Sequence, residues 1–295
     1  MIHYFRDIVL RTLAGLSAFA LAYTVLMSSA FASSGWATLD WTLAETLMAM
    51  DAPLGGVAQI DAYHAWVGEP QIPESVVDLG LRAQPNLELL ADLSPDAIFI
   101  SPMFHRLTSR LERIAPVETF SLYQADSDTW QAMQHLTRTL GERVGRQQEA
   151  ENLITDTATL LRSLQSRLSA PGPLLIVQFM DDRHVRVFGK NGLYDAVLEQ
   201  LGIANAWQEA TNAWGFSLVG IETLIDYPEA QLVVIEPLPV GVQAALEDSG
   251  LWQHLPSVQN GHAITLPPVW SFGGLPSAQR FARSLATALE ASHDR

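Results

Sequence analysis

Apolar positions along this chain alternate between two periods. From Trp41 the dense apolar run TLAETLMAM has the character of a buried helix, and GGVAQI reads as a short strand followed by a long loop that carries aromatic residues. VVDLG is a further short strand. Asn86-Leu87-Glu88 then opens a helix that feeds a strand over Ala97–Ser101. No proline occurs between Asp128 and Leu168. In the later part of that segment Ala150, Leu153, Ile154, Ala158, Leu161 and Leu164 recur at spacings of three and four, the stripe of an amphipathic helix. Pro171-Gly172-Pro173 stops it, and the pattern restarts with strands PLLIVQF and HVRVFG, a helix LYDAVLEQLG, and strands LVVIE and AITLP.

The alternation of buried runs with helical stretches predicts parallel α/β units. An internal echo pairs NLELLADLSPDAIFI (86–100) with GIETLIDYPEAQLVVI (220–235), with Glu88 matching Glu222 and Asp92 matching Asp226. A generic helix-turn-strand unit could also produce it. Together with the helix in the middle, the echo predicts two similar α/β lobes facing each other across a cleft, where a small ligand would sit. The expected division is a signal segment over 1–32, an N-terminal lobe over 33–143, a linker helix over 144–168 and a C-terminal lobe over 169–295.

Composition narrows the function. Of 295 residues 48% are hydrophobic, so the chain can build real cores. Lys+Arg 17 against Asp+Glu 32 gives a formal charge of −15, with Lys190 the single lysine, a surface that repels nucleic acid. With no cysteine there are no thiolate metal sites and no cysteine nucleophile. At the start, Arg6 and Arg11 precede the apolar run Leu13–Met27 and the small residues of Ala30-Phe31-Ala32, the layout of a cleaved secretory signal. That run is shorter than the ~20 apolar residues a membrane span needs. The periplasm is the expected compartment.

Motifs for enzymatic chemistry are lacking: there is no G-x-S-x-G, P-loop, dinucleotide fingerprint or H-E-x-x-H, and the histidines are scattered singly. Attention falls instead on tryptophan. Trp66 in AYHAWVGEPQIP, Trp214 in EATNAWGFS and Trp270 in LPPVWSFGG each sit beside Gly, Pro or Asn in stretches that read as loops. One such residue would as readily plug a core edge; three in both halves suggest a shared site. Arg82, directly after VVDLG, would point from a strand end into the same cleft, or stand as a solvated charge.

At these residues the chain resembles the periplasmic iron(III)-hydroxamate (ferrichrome) siderophore-binding proteins, the helix-hinged class of ABC-importer substrate-binding proteins. The agreement runs through WVGEPQIPESVVDLGLRAQPNLELL, RHVRVFGKNGLYDAVLEQLGIANAWQEATNAWG and LPPVWSFGG. It implies two Rossmann-like lobes with parallel sheets joined by one long helix, a shallow aromatic cleft, little closure on binding, and no enzymatic activity. It implies a ferric hydroxamate ligand held by Trp66, Arg82, Phe104, Asn212, Trp214, Trp270 and Phe272, with no cofactor and no direct bond from protein to iron. The expected partners are that siderophore and an ABC permease, with the protein a monomer. Phe104 and Phe272 stand where the family places tyrosines, and Ile100 where tryptophan can occur; His105 or Arg186 could restore a lost polar contact. For permease docking the resemblance maps an acidic residue to Glu222, whereas Ser109 holds the N-terminal position and Glu112 lies one turn on. Haem, a corrinoid or zinc on the same fold, and an exported hydrolase using His184 or His262, are the competing readings.

Overall fold

The computed structural model describes residues 35–125, 127–168 and 172–293; the signal segment expected over 1–32 lies outside them. The N-terminal half runs β1 (Trp36–Thr38), α1 (Trp41–Ala49), β2 (Leu54–Val57), α2 (Ile60–Trp66), β3 (Val77–Asp78), a hairpin of β4 (Gly80–Leu81) and β5 (Gln84–Pro85), and α3 (Leu87–Leu93). It continues with β6 (Ile98–Ile100), a 3-10 turn Pro102–Leu107 leading into α4 (Thr108–Leu111), and β7 (Val117–Thr119). Among the described residues its main sheet has the order β3-β2-β1-β6-β7 with every pair parallel. That order reverses direction between β1 and β6. In open α/β sheets such a reversal opens a crevice at the carboxyl ends of the two strands, so Leu39-Asp40 and Ser101-Pro102 stand at a predicted ligand position.

The helix pair α5 (Thr129–Val144) and α6 (Gln147–Arg167) follows. Asp128 caps α5 by accepting from Gln131 N at 3.0 Å. Gly145, at φ +71°, ends α5 in the left-handed conformation, so the proline-free segment folds as two helices. The 21 residues of α6 span about 31 Å at 1.5 Å per residue. Its buried stripe is Ala150, Ile154, Thr157, Leu161 and Leu164.

The second half runs β8 (Leu174–Phe179), β9 (His184–Phe188), α7 (Leu193–Leu201), β10 (Phe216–Gly220), a 3-10 turn Ile221–Asp226 and β11 (Gln231–Ile235). Three short helices, α8 (Val242–Glu247), α9 (Gly250–Gln253) and α10 (Pro256–Gln259), lead to β12 (Ile264–Leu266) and the terminal α11 (Leu275–His293). Its sheet order, β10-β9-β8-β11-β12, repeats the first. The α/β class holds, but this sheet is not all parallel: β8–β9 and β9–β10 are antiparallel. The residues Met180–Arg183 between β8 and β9 allow only a hairpin, since a parallel crossover needs about a dozen residues. The Asp181 carboxylate closes that turn by accepting from Arg183 N and His184 N, each at 2.8 Å.

A second correction concerns Ile60–Trp66, expected as loop and found as α2. Its start has no side-chain cap of its own. Instead Asp78, at the end of β3, accepts from Gln59 N at 3.0 Å and Ile60 N at 3.1 Å, a long-range cap that local sequence cannot display.

One apolar core joins both halves. Leu43 and Leu47 of α1 and Phe99 of β6 belong to the same buried cluster as Leu161 of α6, Val233 of β11 and Leu285 of α11. Each buried side chain of this size contributes about 1.5–3 kcal/mol, so parting the two sheets would be costly.

Candidate ligand-binding site

Arg82 sits in the two-residue turn of the β4–β5 hairpin, where Leu81 pairs with Gln84. The turn carries its side chain over the carboxyl end of β1. There Nε donates to the Leu39 carbonyl at 3.0 Å, and Nη2 lies 3.8 Å from Asp40 Oδ2. The guanidinium faces the rings of Trp41 (4.3 Å), Phe104 (5.2 Å) and Trp270 (5.5 Å), leaving the side chain 14% exposed. Burial lowers its pKa and the Asp40 carboxylate opposes that shift; a guanidinium stays charged throughout. Asp40 is itself engaged, capping α1 by accepting from Thr42 N and Leu43 N. The remaining Arg82 donors are therefore available for an oxygen-rich ligand.

The second wall element is the segment after β12, which is bonded to the N-terminal half. Trp270 Nε1 donates to Thr42 Oγ1 at 3.1 Å, Thr42 Oγ1 donates to the Phe272 carbonyl at 2.7 Å, and Tyr123 OH donates to the Gly273 carbonyl at 2.7 Å. Trp270 packs edge-on against Trp41, with centroids 5.0 Å apart, and against Phe272 at 5.2 Å. Behind it lies Glu45, fully buried. Its carboxylate accepts from Gly274 N at 2.6 Å and Ser277 Oγ at 2.5 Å, joining α1 to the start of α11. Burial pushes the Glu45 pKa up to about 8 against the lowering effect of those bonds.

The third element is the loop before β10. Asn212 Oδ1 accepts from Trp214 N at 2.9 Å and Phe216 N at 3.3 Å, and Gly215 N donates back to the Asn212 carbonyl at 2.9 Å. Gly215 has φ +75°, and a Cβ there would fall 2.2 Å from the Gly192 backbone; glycine lets the loop close against the start of α7. Trp214 is left 44% exposed.

These elements enclose an open-mouthed cavity of about 650 Å³, counting the space at its mouth. Arg82, Trp214, Trp270 and Phe272 line it, as do Asp40 and Ser101 from the reversal point of the first sheet. Phe104 is buried beneath the Arg82 guanidinium, acting on the cavity through that contact. Asn212 holds the loop with its side-chain oxygen, and Ala213 rather than Asn212 lines the cavity. Trp66 does not line it. It ends α2 and packs against the buried cluster of Trp41, Tyr63 and Val67. Ile100 is buried in the core and His105 is exposed. Glu112, at the end of α4, and Glu222, opening the 3-10 turn after β10, are both exposed. Residue-by-residue reading missed Asp40, Thr42, Tyr123 and Trp41. The first and last of these follow the end of β1, where strand order marks the crevice.

Among the described residues no group of three His, Asp or Glu side chains could hold a metal ion. The cavity's chemistry is one pinned cation above aromatic faces, suited to a compact ligand with apolar flanks and exposed oxygens.

This architecture defines a small-ligand binding protein. The chain belongs to the periplasmic binding protein family, whose model matches residues 37–269; its members are substrate-binding proteins. It is 35% identical over 253 residues to the iron(3+)-hydroxamate-binding protein FhuD of Escherichia coli, covering 85% of each chain. It is 27% identical over 277 residues to the achromobactin-binding periplasmic protein of Dickeya dadantii, covering 89% of this chain and 82% of that one. Among solved structures, the Fe3+–Desferal-bound siderophore-binding protein FhuD of Vibrio cholerae superposes with a TM-score of 0.83 at 26% identity, over 87% of this chain and 98% of that one.

Proposed function

We propose that this protein captures ferric hydroxamate siderophores in the periplasm and delivers them to an inner-membrane ABC importer. The observation that carries the reading is Arg82, tethered to the Leu39 carbonyl and laid across Trp41 and Trp270 at the cavity wall. Three bidentate hydroxamates fill the six positions of ferric iron and cancel its charge. The protein then meets a wrapped complex and needs no ligand of its own for the metal. Arg82 donates to hydroxamate oxygens, a charge-assisted bond of about 1.5–3 kcal/mol, while Trp214, Trp270 and Phe272 pack on the apolar flanks. Phe104 supports Arg82 by ring contact, without a hydroxyl. The 35% identity to an iron(3+)-hydroxamate-binding protein supports this ligand class.

In this reading the halves over 33–143 and 169–295 act as lobes joined through 144–168, and the core they share keeps closure small. The chain is exported by a cleaved signal over 1–32 and works as a monomer without a resident cofactor. Glu222 and Glu112 are the docking carboxylates toward the permease. Tryptophan fluorescence tests the ligand: ferrichrome, coprogen and ferrioxamine should quench at submicromolar concentration. Failure of that panel while haem, cobalamin or zinc binds would overturn it.

A further inference from the structure

A second arginine, Arg186, stands behind the cavity lining, stacked on the lining residue Phe272. Arg186, in the middle of β9, stands in register with Gln178 of β8 and Leu218 of β10. Its guanidinium faces the rings of Phe216 (4.9 Å) and Phe272 (5.4 Å). Phe272 also meets Trp270 edge-on and lines the cavity, so Arg82, Trp270, Phe272 and Arg186 form a continuous row, a cation at each end and two rings between.

The two cations differ in their partners. Arg82 has a carbonyl and the Asp40 carboxylate. Arg143, also stacked on rings, carries Glu118 at 2.5 Å, and the partly buried Arg280 carries Glu69 at 3.1 Å. Arg186 is half-buried, yet among the described residues no carboxylate lies within 4.0 Å of it, and its buried Nε has no hydrogen-bond partner. The nearest polar neighbour across the strand pair, Gln178, offers its Oε1 to Ser271. In a chain with 32 acidic residues against 17 basic ones, the lack of a carboxylate beside a half-buried, ring-stacked arginine sets Arg186 apart from Arg82, Arg143 and Arg280. A guanidinium with free donors, stacked on a cavity-lining ring, is equipped for an anionic oxygen arriving with the ligand. With Asp40 offsetting Arg82, the two arginines together keep one uncompensated positive charge beside the cavity.

We propose that Arg186 is a specificity-determining contact that selects ferric hydroxamate complexes bearing one additional carboxylate over those bearing a pendant ammonium. This deepens the ferric hydroxamate reading and rests on it. A fully anionic catecholate or citrate complex would call for several cations, whereas a single unpaired guanidinium matches a single extra carboxylate.

The test uses a charge-matched pair: ferric desferrioxamine B, whose chain end is an ammonium, and the same complex N-succinylated, which replaces that ammonium with a carboxylate. Neutral ferrichrome serves as the reference. Titration of the exported protein should give a Kd for the succinylated complex at least about tenfold lower than for the ammonium form, a difference of ~1.4 kcal/mol. Arg186→Gln should collapse the ratio below about threefold, and Arg186→Lys, which keeps the charge, should retain most of it. If Arg186→Gln fails to fold, Arg186→Met keeps the aliphatic stem over Phe216 and reads the same ratio. Ferrichrome binding with a wild-type ratio near one, or a ratio that survives loss of the charge, overturns the proposal and leaves the hydroxamate reading standing. No binding of any of the three complexes overturns both.

Discussion

The two walls of the cavity are built to different standards. On the N-terminal side, Arg82, Trp41 and Trp270 are joined by ring contacts, the Leu39 carbonyl and the Thr42 hydroxyl, with Glu45 bonded to the start of α11 behind them. Trp270 belongs to the second half by sequence and to this wall by bonding. On the far side, Trp214 is held through its loop backbone by Asn212 and is nearly half exposed. One wall is preorganised and the other adjustable. Preorganised donors give up little freedom on binding and so return more of their bond energy as affinity, whereas an exposed indole must first be ordered. A binding protein can in this way keep a fixed grip on the part of a ligand class that never varies and accommodate the rest.

Changes behind the fixed wall should have the largest effects. Glu45→Ala orphans two buried donors, Gly274 N and Ser277 Oγ, and should lower unfolding stability by about 2–4 kcal/mol in a denaturant titration. Glu45 also imposes a pH dependence. Its native pKa of about 8 exceeds the ordinary carboxyl value of 4.5, so between these pH values the folded state binds more protons than the unfolded one. This group's contribution to stability is therefore full below about 4.5 and is lost as pH rises toward 8. Glu45→Gln mimics the protonated form, and a thermal melting series from acid to mildly alkaline pH should be flatter than for wild type. An equal slope in both would remove Glu45 as the cause.

Arg82→Ala comes next, with ferrichrome affinity expected to weaken about tenfold or more from loss of a charge-assisted bond; an unchanged Kd would take Arg82 out of contact with the ligand. Trp214→Ala tests the adjustable wall. A loss of about 0.5–1.5 kcal/mol, smaller than for Arg82, is expected by isothermal titration, and a larger one would reverse the ranking of the walls. Smallest at the level of binding is Glu222→Ala, which should leave Kd alone while slowing siderophore uptake in cells. Normal uptake would show that docking uses another surface.

Much of the architecture was legible because it depends on local chemistry. The amphipathic stripe of α6 and the helix-to-strand passage from α3 to β6 are periodic patterns that each segment must satisfy to bury its own apolar face. The antiparallel β8–β9 hairpin was missed, because the repeating α/β pattern argued for parallel strands, although only four residues separate the two. Helix α2 was not legible, since its cap comes from Asp78 at the end of the next strand. Trp66 shows the limit of reading tryptophans by their neighbours: Gly and Pro beside it follow a helix end, and its ring packs on the core.

By itself the sequence determined the α/β class, the repeated order of units and the residue types able to grip a wrapped metal complex, because apolar periodicity and side-chain chemistry are properties of short stretches. Only the tertiary structure decided which aromatic rings share a wall, which of two stacked arginines has a carboxylate beside it, and that a segment from the end of the chain completes the N-terminal side. Those outcomes depend on pairs of residues such as Thr42 and Trp270, or Glu45 and Gly274, far apart in sequence and brought together only when both sheets close over one core.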